Sequence, residues 1–506
     1  MREMKKFEFL LKTAAVLAAA LLMGQSPVWA AELKDTIVFC QGNDLTTMDI
    51  SIGMQERACA LTNNMFDSLF TFDKDMNVIP DLAESYKWLD DRTLEVKIRK
   101  GVKFHNGSEM TAEDVVFTMD HINERGSLFA GNYEKTDITG DNTVAIRLKS
   151  PNPPLVNLLA VPYAAVLPKA VYVADPAGFA RKPIGTGPYK LKEFQEGDYY
   201  TLERFDDYWK TPAKTQYLTL RIVPETAQRI ILLETGEVDV SYEIPGSSVA
   251  RIKGDTKLQV ITRDSMKIIT LSLNCGSKGP LGNANVRRAI QKAIDKQTIV
   301  DSFLYGYGKV SNSIIPSSAK EFAEQENYKF DVEEAKKLMK EAGYENGFST
   351  TIWTDSNQTN TEIAQALQAQ LAQIDIDLSI VVQDPNTTFS RLTAGDDFDM
   401  ILDFFNLVSA HADQVYKRLL YSTSTSNWSN YKNPEYDKAY DKYSGTVEGP
   451  ERDALRAVVN NFFVEDVPVI SIYNETKIIG AGAGLEGFIT SPIGSHEYQE
   501  ATVKKN

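Results

Sequence analysis

Between Pro80 and His121 the chain reads as a strand, a tight turn and a helix, and no other run constrains the fold as much. Leu94, Val96 and Ile98 alternate with Glu95, Lys97 and Arg99. That period of two marks a strand with one buried face. Asn106-Gly107 supplies the positive φ a turn requires. Thr111 stands three residues before Asp114, a capping-box spacing that predicts a helix through Val115, Val116, Phe117 and Met119. An ordered α/β segment follows from this pattern alone.

The same alternation of types runs on. Thr36 to Cys40 and Thr143 to Leu148 read as strands, Gln55 to Phe66 has helical spacing, and Pro151, Pro153 and Pro154 break the chain before an apolar stretch. Gly185-Thr186-Gly187-Pro188-Tyr189 is a turn cluster feeding a strand; it has no GKT or GKS and no third glycine at nucleotide spacing. Leu232 to Val240 reads as a helix end, a glycine stop and a strand start. Further on, Asn285 is expected to cap a helix with Val286, Ala289, Ile290, Ala293 and Ile294 on one face. Asp331 and Glu334 form another capping box, Gly343 ends that helix, and Thr361 to Ile374 predicts a helix ahead of a strand from Ile376. Helices interleaved with strands predict α/β lobes.

The first thirty residues read as an export signal. Arg2, Lys5, Lys6 and Lys12 make a basic start, Thr13 to Met23 is apolar but short for a membrane span, and Val28-Trp29-Ala30 presents a cleavage site. Those residues carry four basic and two acidic side chains, so their loss takes the net charge from −15 to −17. An acidic chain argues against nucleic acid as a partner, because phosphate binding wants a basic patch. About 475 remaining residues suffice for two or three domains. Cys40, Cys59 and Cys275 show no CxxC spacing, which argues against a zinc cluster; one disulfide with one thiol left over is compatible with an oxidising compartment.

Catalytic patterns are missing. His105, His121, His411 and His496 are scattered without HExxH or metal-ligand spacing, and there is no GxSxG elbow. The acidic pairs Asp90-Asp91, Asp206-Asp207 and Asp396-Asp397 stand in turn-like contexts, where solvated carboxylates are the ordinary outcome. Nothing calls for an enzyme, a metal or a cofactor.

Taken as strings, LAES followed by a Trp, LEVKIRKGVKFHNG and TAEDVVF resemble the signature of periplasmic solute-binding proteins of the peptide/nickel ABC-importer family. IGTGPY with RFDDYW, LLETGEVDV and VRRAIQKAIDK fit the same family in the same order. The resemblance implies a two-lobe α/β periplasmic binding protein, type II and cluster C-like, with an extra small subdomain in lobe I. It implies residues 31–65, 183–275 and 488–506 as the core of lobe I, 66–182 as the subdomain and 276–487 as lobe II, after a 1–30 signal. It also implies a monomer that closes on a ligand by hinge motion and docks on an inner-membrane permease.

Dipeptide-binding members clamp an amine with an Asp in a WGDNGDP stretch and a carboxylate with an Arg soon after a Trp. Here the first region runs from Leu402 to Asp413 without DxxDP, and Trp353 is followed by TDSNQTN. TTMD, AGYENGFSTTIWTDSNQ, LQAQLAQIDI and the ADxxxxxLL run from Ala412 to Leu420 look closer to the glutathione-binding branch. A short peptide or glutathione-like solute is then the implied ligand, and its mixed charge wants both signs in the pocket. Arg57 and Asp413 are the first candidates, with Arg125 beside them; an ordinary surface ion is the competing account of each. Trp353, Phe404 and Phe405 adjoin the family's ligand-contacting segments, with core packing the alternative for the phenylalanines, and Trp428 either reaches the cleft or braces it. A nickel or other metal chelate is a second ligand class, for which His411 is the nearest match, and a secreted hydrolase is a distant third reading.

Overall fold

The computed structural model describes residues 32–505 apart from 46, 53–59, 126–130, 324, 326–328 and 395–397. The proposed export signal, Arg57, Cys59, the start of the Gln55–Phe66 helix and the Asp396-Asp397 pair therefore lie outside the described residues. No helix among the described residues is long and apolar enough to cross a membrane.

Two long strands, Leu258–Leu273 and Val469–Gly482, run antiparallel through the centre of the main sheet. On one side of them the sheet continues through Val240–Ser241, Thr36–Gln41, Tyr217–Ile222, Tyr199–Arg204 and Tyr189–Gln195. On the other it continues through Met400–Asn406, Phe348–Asp355 and Ile376–Gln383. Each half contains parallel pairing, Thr36–Gln41 with Tyr217–Ile222 and Phe348–Asp355 with Ile376–Gln383. Parallel strands are covered on both faces. Ile37 and Phe39 face one buried cluster in the first half, while Cys40 joins another on the opposite side.

The pairing of the two long strands slips between Asp264 and Ile268. There Met266 leaves the ladder: its N–H bonds Pro492 O, and its carbonyl accepts from Leu407 N–H. Such an irregularity bends a strand and loosens its coupling to its neighbour. The two halves of the molecule meet at that point, joined by extended chain.

The Pro80–His121 run forms as its pattern predicts. Thr93–Ile98 is a strand with Leu94, Val96 and Ile98 buried, and it lies between Ala83–Asp90 and Thr143–Leu148 in a four-stranded sheet. Gly107 takes φ +83°, and Ala112–Glu124 is a helix whose N-cap Thr111 donates both its N–H and its hydroxyl to Asp114 Oδ2 at 2.8 Å. Val115, Met119 and Ile122 of the helix close one core with the sheet. Three such side chains each contribute about 1.5–3 kcal/mol by leaving water, so helix and sheet stand or fall together.

The GTGPY cluster is a close-approach device rather than a phosphate loop. A side-chain carbon on Gly185 would stand 2.0 Å from Met65 O, and one on Gly187 2.5 Å from Met65 C. Asp67 accepts from Thr186 Oγ1, Tyr208 Oη and Trp209 Nε1, which ties GTGPY to the RFDDYW turn. One local expectation is corrected. Asn283, not Asn285, caps Ala284–Lys292, because its side-chain oxygen accepts the N–H of Asn285 at 2.9 Å. Asp331 caps Val332–Glu341 as its spacing predicts. Cys40 and Cys275 are both free thiols.

Candidate functional site

The junction between the halves is built from a few short segments. Residues 407–412 follow the strand Met400–Asn406 and reach across it: Asn157 Nδ2 of the first half donates to Ser409 O at 3.2 Å, and Val408 packs on the core of the four-stranded sheet. From the first half, Phe72 and Met76 reach the second half's cluster around Phe405, Leu407 and Tyr416. Arg263 donates to Lys74 O near the slipped register.

Strand alternation splits the neighbours Phe404 and Phe405 between the two faces of the sheet. Phe404 is 49% exposed with Lys267 Nζ 4.3 Å over its ring, and Lys267 is bonded to Glu475 at 3.2 Å. Burial works against the Lys267 charge, but Glu475 outweighs it and the ammonium titrates above its ordinary range. Phe405 is buried and carries Arg418 over its ring at 5.3 Å. Asp403, two residues before Phe405 and so on its face of the strand, is pushed up to about 6, chiefly by burial.

Trp353 and Trp428 come together in a small cluster with Phe398, Leu392 and Ile401. The Arg391 guanidinium stacks 4.1 Å over the Trp353 ring. The sequence offers no arginine soon after Trp353, yet the fold delivers one from a later helix, Pro385–Ala394. Linear spacing carries no signal for that contact.

Asp413 begins the helix Asp413–Leu420 and is buried. Its Oδ1 accepts from Arg452 Nη2 at 2.5 Å and lies 3.4 Å from His411 Nδ1. Burial opposes its charge; the bond and charge of His411, with the charge of Arg452, outweigh burial and hold the carboxyl below its usual range. His411 sits among Asp413, Glu448 and Glu321. Burial alone would lower it, but these carboxylates raise it to about 10. The described residues contain no group of three side chains suited to a metal ion, and His411 Nδ1 accepts the N–H of Asp413 at 3.3 Å. The chelate reading is not favoured. His105 is instead pushed down to about 4 by burial, with Nδ1 accepting from Gly185 N–H and Nε2 bonded to Gly187 O.

Arg125 stands elsewhere. It ends the helix Ala112–Glu124, is exposed and reaches Tyr172 Oη at 3.4 Å, a contact within the first half. Sequence reasoning passed over Arg418, Lys267 and Arg391. Arg418 lies inside the ADxxxxxLL run, five residues after Asp413 and so about 140° around the helix from it. The run was legible; the face each residue takes was not.

One sheet shared by two α/β halves, crossed by two extended strands and closed over by a bridging loop, defines a two-lobe binding protein. Residues 77–427 match the family described as bacterial extracellular solute-binding proteins, family 5 middle. The glutathione-binding protein GsiB of Pectobacterium atrosepticum is 30% identical, with 97% of each chain covered. The chain therefore belongs to the family 5 extracellular solute-binding proteins, the peptide/nickel group that serves ABC importers. Among solved structures, a dipeptide-binding protein from Pseudoalteromonas sp. SM9913 in complex with Met-Leu is 25% identical at TM-score 0.82, covering 93% of this chain and all of that one. The substrate-binding protein CtaP of Listeria monocytogenes is 24% identical at TM-score 0.85, covering 94% and 100%.

Proposed function

We propose that this protein is the periplasmic component of an ABC importer that captures a short peptide or glutathione-like solute between its lobes and delivers it to the membrane permease. It works as a monomer, exported by a signal cleaved near Ala30, and it catalyses nothing. The observation that carries the reading is the slipped register at Asp264–Ile268, followed by a second shift at Ile269–Thr270, in the pairing of the two long strands, beside a loop that already bridges the lobes at Ser409. Contacts made to both lobes bias an open–closed equilibrium, and only a ligand that touches both can do so. In this reading residues 276–487 form lobe II, and its apolar wall lies on the face of the sheet that Trp353, Ile401 and Phe405 share, with Trp428 against it. The relatives support the solute class, since one is named for glutathione and another is solved with Met-Leu.

The test is native mass spectrometry of protein purified from its own periplasm without refolding, followed by titration calorimetry with glutathione and Met-Leu. A bound mass of a short peptide or glutathione supports the reading. A metal-containing mass sinks the ligand class and leaves the importer role standing.

A further inference from the structure

The hairpin of Phe70–Phe72 and Val78–Pro80 belongs to the first half, where Phe70 is buried in the core of the four-stranded sheet. Its tip does not stay there. Met76 is 5% exposed and lies in the cluster that holds Phe405, Leu407 and Tyr416. Among the described residues, every other buried member of that cluster comes from Met266 onward. Phe72 packs against both cores. The hairpin is rooted in one half and plugged into the other.

The tip is built to hold that plug. Asp73 Oδ1 accepts the N–H groups of Asp75 and Asn77, both at 2.8 Å, and its Oδ2 accepts from Asn77 Nδ2 at 2.8 Å. The Met76 N–H closes the turn on Asp73 O at 3.0 Å. Within this frame Met76 takes φ +61°, the left-handed region that Gly and Asn occupy at least cost. A long apolar side chain gives the turn itself nothing there, and such a conformation persists where its surroundings over-determine it. Here the surroundings are the second half's cluster, and a flexible thioether suits an irregular gap. From the long crossing strand, Arg263 donates to Lys74 O at 2.5 Å beside the slipped register, so the tip is fastened where the halves meet.

We propose that Met76 is a latch between the lobes, which favours the closed arrangement before any solute has entered the cleft. Protein alone makes the contact, so it multiplies the affinity for every solute by the same factor. The latch rests on the two-lobe closure of the reading above and on no particular ligand.

The test compares wild type, Met76→Asn and Arg263→Gln, each as the full mature chain dialysed free of solute. Asn keeps the left-handed turn and removes the apolar plug; Arg263→Gln loosens the tip from outside and leaves the core untouched. Small-angle scattering of the solute-free proteins is expected to give a larger radius of gyration for Met76→Asn than for wild type, with Arg263→Gln between them. In calorimetry with glutathione and Met-Leu, Met76→Asn is expected to lose about three- to tenfold in affinity, by one factor for both probes. An unchanged radius of gyration in both variants overturns the latch. Unequal losses for the two probes also overturn it, since they mark a contact with the solute. Wild type that binds neither probe removes the short-peptide reading of the ligand, and scattering alone then decides the latch.

Discussion

Arg452 Nη2 lies 2.5 Å from Asp413 Oδ1, and both side chains are buried. The charge on Asp413 is therefore already matched inside lobe II. Arg452 also donates to Tyr443 O and Thr446 O, both at 2.6 Å, and its guanidinium stacks 4.2 Å over the Tyr443 ring. Removing either partner leaves a buried charge without compensation. Asp413→Ala is expected to cost about 3–5 kcal/mol of folding stability, and Asp413→Ala with Arg452→Met to recover most of that loss. Urea denaturation of the three proteins measures it; additive losses would show that the pair is not coupled.

His411 gives this network a pH dependence. Its folded pKa of about 10 lies above the unfolded value of about 6.5. Its contribution is complete below pH ~6.5 and disappears as pH rises toward 10. Asp413, held low, acts with the opposite sign: its contribution is present above pH ~4 and is lost on further acidification. Denaturation midpoints should fall between pH 6.5 and 10, and His411→Gln should flatten that slope. An unchanged slope in the variant would place the titration elsewhere.

Gly187→Ala tests the close approach at Met65. The added carbon would meet Met65 C at 2.5 Å and Phe66 N at 2.6 Å, both backbone atoms that cannot swing away. A loss of about 1–3 kcal/mol or more is expected in thermal unfolding, as for other overpacked sites. A nucleotide loop would instead show binding of ATP by calorimetry, and none is expected.

Trp353→Ala should cost about 3–5 kcal/mol, because the ring is buried between Arg391 and Phe398. Wild-type fluorescence should be blue-shifted at this tryptophan. A change near zero in stability would mean that Arg391 and Phe398 do not hold the ring.

The local elements were legible because their causes are local. A capping oxygen and its N–H stand two or three residues apart, as at Thr111–Asp114 and Asp331–Glu334, and strand alternation is visible over six residues, as in Thr93–Ile98. The export pattern, the family motifs and the two-lobe expectation arise from such runs. Even here the cap moved from Asn285 to Asn283, since both asparagines suit the role and only the backbone path chooses.

The use of the charged residues was decided by the tertiary structure alone. Asp413 and Arg418 share one helix, but Arg452 from the helix Pro450–Asp466 covers the first, while among the described residues the second has one long bond, to Ser426 Oγ. Arg391 arrives over Trp353 from another element, and the Phe404 and Phe405 rings part because a strand alternates its faces. Local propensity acts through neighbours in sequence; charge pairing and desolvation act through neighbours in space, and those are known only once the sheet has brought its strands together.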